Sequence, residues 1–206
     1  MPPSILPHRH YKQQIKPKVY DPKATPSLQP PLIMSIAHAF KVGPWGGNGG
    51  TVFDVTAPPT RLDNMTIRAG EFIDSIGFSY VDDVGTIRIA GPFGGTGGNL
   101  TTIRFAATEF VTKLSGTLYI RSASAGGKPV LSSLEIVTNT NRYGPYGTVH
   151  QDYLFSFPLP WGLIITGFFG RAGSIVDAIG VYIGYKIGGE RLDAITVATD
   201  EETSGN

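Results

Sequence analysis

Gly167-Phe168-Phe169-Gly170-Arg171-Ala172-Gly173-Ser174-Ile175-Val176-Asp177-Ala178-Ile179-Gly180-Val181-Tyr182-Ile183 runs a glycine-punctuated loop into an alternating apolar strand. One carboxylate, Asp177, stands where loop becomes strand, four residues after Gly173. A turn of that length aims successive backbone N–H groups and one carboxylate into the same small volume. Fixed donors beside a strong acceptor suit a polyhydroxylated ligand, because a hydroxyl both donates and accepts. Alone, Gly-x-x-x-Asp is a common string that reads as a turn glycine and a strand-start cap. Its copies change the reading.

The element recurs as Gly70-Glu71-Phe72-Ile73-Asp74-Ser75-Ile76-Gly77-Phe78, which matches Gly173 to Val181 almost position for position. A third version, Gly127-Lys128-Pro129-Val130-Leu131-Ser132-Ser133-Leu134-Glu135, places Leu131 where the acid is expected. A second element repeats as well. Gly43-Pro44-Trp45-Gly46-Gly47-Asn48-Gly49-Gly50 returns as Gly91-Pro92-Phe93-Gly94-Gly95-Thr96-Gly97-Gly98 and, worn down, as Gly144-Pro145-Tyr146-Gly147, with starts 48 and 53 residues apart. Three copies of two elements predict an internal threefold repeat.

Composition bounds the fold. The chain has 206 residues and a formal net charge of +1, enough for one well-buried domain plus tails, and no electrostatic case for nucleic acid or anionic membrane. No cysteine is present, which removes disulfides, thiolate metal sites and thiol nucleophiles. Only 16% of residues are charged, against 27 glycines and 16 prolines, and no long helical periodicity occurs, so the class is all-β. Val, Ile, Thr and aromatics at period two predict strands at 62–69, 75–81, 85–90, 101–105, 111–120, 134–138, 153–158 and 178–183. No apolar run reaches the roughly 20 residues of a membrane span, so no membrane insertion is expected.

Three regions follow. Residues 1–37 carry prolines at 2, 3, 7, 17, 22, 26, 30 and 31 and basic residues Arg9, Lys12, Lys16, Lys18 and Lys23 against Asp21, which predicts a basic tail without regular ladders. His8 and His10 within it have no companion ligand, and no metal or other cofactor is expected. Residues 38–184 hold the repeats. Residues 185–206 form an extension ending in Asp200-Glu201-Glu202-Thr203-Ser204-Gly205-Asn206, an acidic end expected to lack structure.

Trp45-Gly46-Gly47-Asn48-Gly49-Gly50, Gly167-Phe168-Phe169-Gly170-Arg171 with Gly173, and Asp177-Ala178-Ile179-Gly180-Val181-Tyr182 together resemble the jacalin-related lectins, of the mannose-specific type. The resemblance covers about residues 38–184. It implies a β-prism I fold of three four-stranded antiparallel sheets with pseudo-threefold symmetry. It also implies a sugar pocket made by the first glycine loop and the last Gly-x-x-x-Asp loop: Gly50, Gly173, Ser174, Ile175 and Asp177. By the same resemblance the Asp177 carboxylate accepts from two neighbouring hydroxyls while the amides of Ser174, Ile175 and Gly50 donate. Some family members have a second site, and its residues are present here as Gly98, Gly70, Glu71, Phe72 and Asp74. Leu131 and Pro129 mark the third copy as non-binding. Each hydrogen bond to a hydroxyl nets only about 0.5–1.5 kcal/mol against water, so single pockets are expected to be weak and several must act together.

The family also sets the sugar class. Galactose-binding relatives place aromatics after the site glycine, where Ser174 and Ile175 stand here, so mannose- or glucose-containing glycans are the expected partners. With no basic and apolar leader at Met1-Pro2-Pro3-Ser4-Ile5-Leu6-Pro7, the expected location is cytoplasmic or nucleocytoplasmic, as the resemblance to the mannose-binding branch implies, and the expected role lies in plant defence or stress response. A homodimer would supply multivalency. Two other readings compete. A protein-interaction module with vestigial sugar sites shares every motif. A glycosidase needs two carboxylates a few ångströms apart; the repeat puts Asp74 and Asp177 in separate copies, leaving only Glu71 with Asp74. No enzyme is expected.

Overall fold

The computed structural model describes residues 39–120, 127–151 and 153–186. The tail at 1–37 and the extension beyond Lys186 lie outside the described residues. Twelve strands and no helix occur among the residues described. The chain opens with β1 (Phe40–Gly46) and β2 (Thr51–Phe53), followed by β3 (Pro59–Ala69), β4 (Ile73–Asp82), β5 (Ile87–Gly94) and β6 (Asn99–Arg104). Then come β7 (Val111–Ile120), β8 (Pro129–Thr138), β9 (Arg142–Gly147) and β10 (Tyr153–Pro158), and finally β11 (Leu163–Ala172) and β12 (Val176–Tyr185).

All pairings are antiparallel and fall into three four-stranded groups of one plan: β1-β12-β11-β2, β5-β4-β3-β6 and β9-β8-β7-β10. In each, a hairpin of two long strands is flanked by two shorter ones. The first group takes one pair of strands from each end of the repeat region, so pairing of β1 with β12 closes the domain. One departure from three separate sheets exists. A single pair, Ile165 with Val111, carries hydrogen bonding from β11 to β7 and joins the first and third groups.

The Gly-Pro-aromatic element, expected as loop, is strand. In each repeat Gly-Pro stands opposite one residue of the inner strand: Gly43-Pro44 opposite Gly180, Gly91-Pro92 opposite Gly77, Gly144-Pro145 opposite Glu135. Two residues against one is a β-bulge, which bends the strand so that the next side chain turns inward. Gly43, Gly91 and Gly144 take φ of +97, +92 and +95°, a left-handed conformation open to glycine. The aromatics that follow, Trp45, Phe93 and Tyr146, pack against the core. Trp45 stacks on Phe155 at 5.3 Å and Phe93 on Phe53 at 4.3 Å.

The inner faces of the hairpins meet in one core. Met65, Ile67, Ile76, Leu114, Leu134, Ile136, Ile165, Phe168 and Ile179 are fully buried, each stabilising by about 1.5–3 kcal/mol relative to exposure. Phe168 meets Phe78 edge-on at 5.3 Å across the first and second groups. In β12 and β4 nearly every residue is buried, because these inner strands are covered on both faces. At the far end of β4 the buried Asp82 accepts from the amides of Val84 (3.1 Å) and Thr86 (2.7 Å) and from Arg88 Nε (2.7 Å), closing the Asp82-Asp83-Val84-Gly85 turn.

Candidate carbohydrate site

The β1–β2, β3–β4, β5–β6 and β11–β12 connections gather at one end of the strands. Between β11 and β12 the chain reverses in three residues, Gly173-Ser174-Ile175, with the Gly173 amide donating to the Ile175 carbonyl at 2.9 Å. The amides of Ser174 and Ile175 find no acceptor among the described residues. The β1–β2 loop is fastened over this turn by the Gly47 amide, which donates to the Asp177 carbonyl at 2.9 Å. Gly46 allows that approach, since a Cβ there would collide with the same carbonyl.

The Asp177 side chain is enclosed by glycines. A Cβ on Gly49 would collide with Oδ1 and one on Gly50 would lie 2.5 Å from Oδ2, while one on Gly173 would meet Oδ2 in ordinary contact at 3.6 Å. Gly50, at φ +54°, could not carry a side chain without also striking the Ala172 backbone. Asp177 is 9% exposed. Burial pushes its carboxyl above the ordinary 3.8, while the Arg171 charge, the Gly173 amide and Lys128 pull part of the way back. The result is a carboxylate poor in water, with its oxygens packed against glycine backbone.

The second repeat repeats the turn and the glycine contacts around an aspartate, Asp74, that is half-buried. Gly95 N donates to the Asp74 carbonyl at 2.8 Å and Gly70 N to the Phe72 carbonyl at 3.0 Å. A Cβ on Gly97 would lie 2.5 Å from Asp74 Oδ1, and one on Gly98, at φ +61°, 2.5 Å from Oδ2. A cavity of about 620 Å³ opens here, lined by Gly70, Glu71, Phe72 and Asp74 on one side and 95–98 on the other, with Ser174 and Ile175 as a third wall. Glu71 is exposed and its carbonyl accepts from the Thr148 amide at 3.1 Å. Phe72 is half-buried, its ring 5.9 Å from that of Tyr119.

The third repeat corrects the sequence reading. Leu131 is not the counterpart of the acids. Ala172 pairs with Val176 and Ala69 with Ile73, and the matching pair in the third repeat is Leu118 with Leu131. Ser132 therefore holds the Asp position, and a Cβ on Gly147 would collide with its carbonyl as one on Gly46 would with that of Asp177. Counting four residues from Gly127 fails because β7 and β8 keep pairing past the point where the other hairpins turn, through Tyr119 with Val130 and Ile120 with Pro129. Ser132 is fully buried, its hydroxyl 2.8 Å from Thr117 Oγ1, and no carboxylate faces a glycine cage there.

Two arginines complete the sites and escaped the sequence reading. Arg171 donates from Nε to Gly49 O (2.6 Å) and from Nη2 to Gly50 O (2.8 Å), clamping the glycine loop from behind. Arg68 reaches Thr96 O (3.5 Å) and Gly98 O (3.3 Å) in the same way, at longer range. The signal is the shared string Arg-Ala-Gly-x-x-x-Asp, whose arginine at 171 belongs to the motif that carries the resemblance but has no site role there. Each glycine loop also rests on a neighbouring repeat: Gly47 against the Pro129 carbonyl, Gly95 against that of Ser174, Thr148 against that of Glu71. Among the described residues no group of three or more His, Asp or Glu side chains is placed to hold a metal ion.

Comparison with known proteins bears on this arrangement. The model of the jacalin-like lectin domain matches residues 42–182. Horcolin from Hordeum vulgare is 42% identical over 144 residues, covering 69% of this chain and 95% of that protein. A mannose/glucose-specific lectin of Parkia platycephala is 32% identical over 156 residues, or 72% of this chain and 33% of that longer protein. Among solved structures, a mannose-binding jacalin-related lectin from Ananas comosus superposes with a TM-score of 0.66 at 38% identity, covering 72% of this chain and 99% of that one. Artocarpin, in a complex with mannotriose, gives a TM-score of 0.64 at 30% identity over 71% of this chain and 97% of its own. The all-β prism of three strand groups is the fold these structures share with it. The chain belongs to the family of jacalin-like lectin domains.

Proposed function

We propose that this lectin binds mannose- or glucose-type glycans through two sites, one centred on Asp177 with Gly50, Gly173, Ser174 and Ile175, the other on Asp74 with Gly98, Gly70, Glu71 and Phe72. The observation that carries the reading is the duplicated cage: in both repeats an aspartate lies against a glycine pair, Gly49 and Gly50 or Gly97 and Gly98, at which a Cβ would collide. Absence of Cβ atoms lets a sugar ring approach the backbone, where the unengaged amides of Ser174 and Ile175 donate and the carboxylate accepts. The sugar class is supported by the mannose/glucose-specific lectin of Parkia platycephala, the mannose-binding lectin of Ananas comosus and artocarpin in its complex with mannotriose. Binding is its whole activity in this reading, with no chemical step and no metal, and pairing of two copies would add the multivalency that weak pockets need.

The test is retention on immobilised mannose, with and without a chelator, for the parent and for Asp74→Ala/Asp177→Ala. The parent is expected to be retained in both buffers and eluted by free mannose, and the double variant to run through. Retention that needs calcium, or retention of the double variant, would contradict the reading.

A further inference from the structure

A cavity of about 500 Å³ lies at the opposite end of the strands from the glycine cages. Its walls come from the start of β3, the end of β4, the β6–β7 connection and the start of β11, and Lys186 beyond β12 stands at its rim. Val81, Phe110 and Ile164 give it an apolar floor.

The hydrogen-bonding groups of the wall are nearly all spent. Thr60 donates to Val81 O at 3.0 Å. Asn139 donates to Thr108 O at 3.2 Å and accepts from the Phe110 amide at 2.9 Å. Buried Glu109 is saturated: Oε2 takes the Ala106 amide (3.2 Å), and Oε1 takes Thr138 (2.8 Å), Asn141 (3.0 Å) and Tyr143 (2.9 Å). Two cations are left with weak partners. Arg61 touches Leu62 O at 3.5 Å and Asp63 at 4.0 Å, both at the limit of an interaction. Lys186 Nζ lies 4.6 Å above the Phe110 ring, and no carboxylate among the described residues pairs with it.

A drug-sized apolar cavity whose unmet polar capacity is cationic has a definite complement. We propose that it binds a small apolar carboxylic acid, the apolar body on Phe110, Val81 and Ile164 and the carboxylate between Arg61 and Lys186. This site is separate from the sugar pockets and does not rest on them. An anion there meets two donors in charge-assisted contact, and the two charges of Arg61 and Lys186 outweigh the one negative charge of Glu109, whose oxygens are already taken by four neutral donors.

Titration calorimetry of the full chain with 1-naphthaleneacetate, and with the neutral alcohol 1-naphthaleneethanol, tests the proposal. The acid is expected to bind one equivalent with a dissociation constant on the order of 0.1 mM, the strength of a ligand of about 14 non-hydrogen atoms. The alcohol is expected to bind roughly tenfold more weakly. Arg61→Gln/Lys186→Gln should erase that preference and leave alcohol binding unchanged, and saturating methyl α-mannoside should alter neither. The comparison of acid with alcohol on the parent stands even where the variant folds poorly. Equal binding of acid and alcohol by the parent, no binding of either, an unchanged preference in a folded double variant, or displacement by the mannoside would overturn the proposal.

Discussion

Arg171 Nη2 donates to the Gly50 carbonyl at 2.8 Å, across 121 residues of chain, and its Nε holds Gly49 O at 2.6 Å. The arginine touches the loop from behind and so is a positioning residue for the Asp177 cage. Arg171→Gln should weaken mannoside binding at that site about tenfold while the melting temperature moves little, since the side chain lies partly exposed. Arg68→Gln should cost the second site less, because its two contacts are 3.3 and 3.5 Å long. Calorimetric titration of both variants checks the order, and an Arg68→Gln effect larger than that of Arg171→Gln would contradict it.

Asp177 is held at a cost. Burial raises its carboxyl above 3.8 despite Arg171, the Gly173 amide and Lys128. A native pKa above the unfolded one makes a stability contribution that is complete below pH about 3.8 and is lost as pH rises through the native value. Asp177→Asn should therefore melt no lower than the parent at pH 7, and any gain should shrink as pH falls through the raised native pKa and be gone below pH about 3.8, although the variant no longer binds sugar. In the parent, mannoside binding at this site should fall on acidification before an ordinary aspartate would protonate. Thermal melts and titrations across pH 3–7 check both signs.

Glu109 illustrates the reverse case at the other end of the strands. Burial works to raise its pKa, but donors from Asn141, Thr138, Tyr143 and the Ala106 amide outweigh it and hold the carboxyl below its usual range. Its contribution is present above the unfolded pKa and is lost as pH falls through the native one. Glu109→Ala takes a shared acceptor from Thr138, Asn141, Tyr143 and the Ala106 amide and should destabilise by about 1–3 kcal/mol at pH 7, seen as a lower denaturant midpoint. An unchanged midpoint would show that water replaces the carboxylate.

No third sugar site should be obtainable by a single acid. Leu131→Asp would put a charge at a fully buried core position and should unfold the domain. Ser132→Asp, at the true counterpart of Asp177, buries a carboxylate beside Thr117 with no glycine cage, because Gly147 is followed by Thr148. It should destabilise without adding a binding equivalent, as melting and titration would show.

How far the sequence reaches can be followed residue by residue. Composition and period-two strands carry the all-β class, three copies of two elements carry the threefold repeat, and the family resemblance carries the prism. The two intact Gly-x-x-x-Asp copies with matching glycine strings bring together the residues of both cages, since turns of equal length align by counting. Strands β7 and β10 lie on the predicted spans 111–120 and 153–158. Four strands were not foreseen: β1, β2, β9 and β11. In β1, β9 and β11 glycines interrupt the alternation, and a bulge that places two residues against one reads as loop to a period-two count. Counting also failed at Leu131, where the longer β7–β8 hairpin shifts the frame by one. Arg68 and Arg171 were missed because each acts on backbone carbonyls of another loop, a contact that no local pattern displays.

In the proposed function two independent cages each hold one sugar. Calorimetry with methyl α-mannoside on the parent, Asp177→Ala, Asp74→Ala and the double variant tests it most directly. Two equivalents are expected for the parent, one for each single variant and none for the double, because each aspartate is enclosed by its own glycine loop and losses at separate sites add. A parent that takes up a single equivalent, lost in full on either single substitution, would contradict the account, since the two carboxylates would then serve one site.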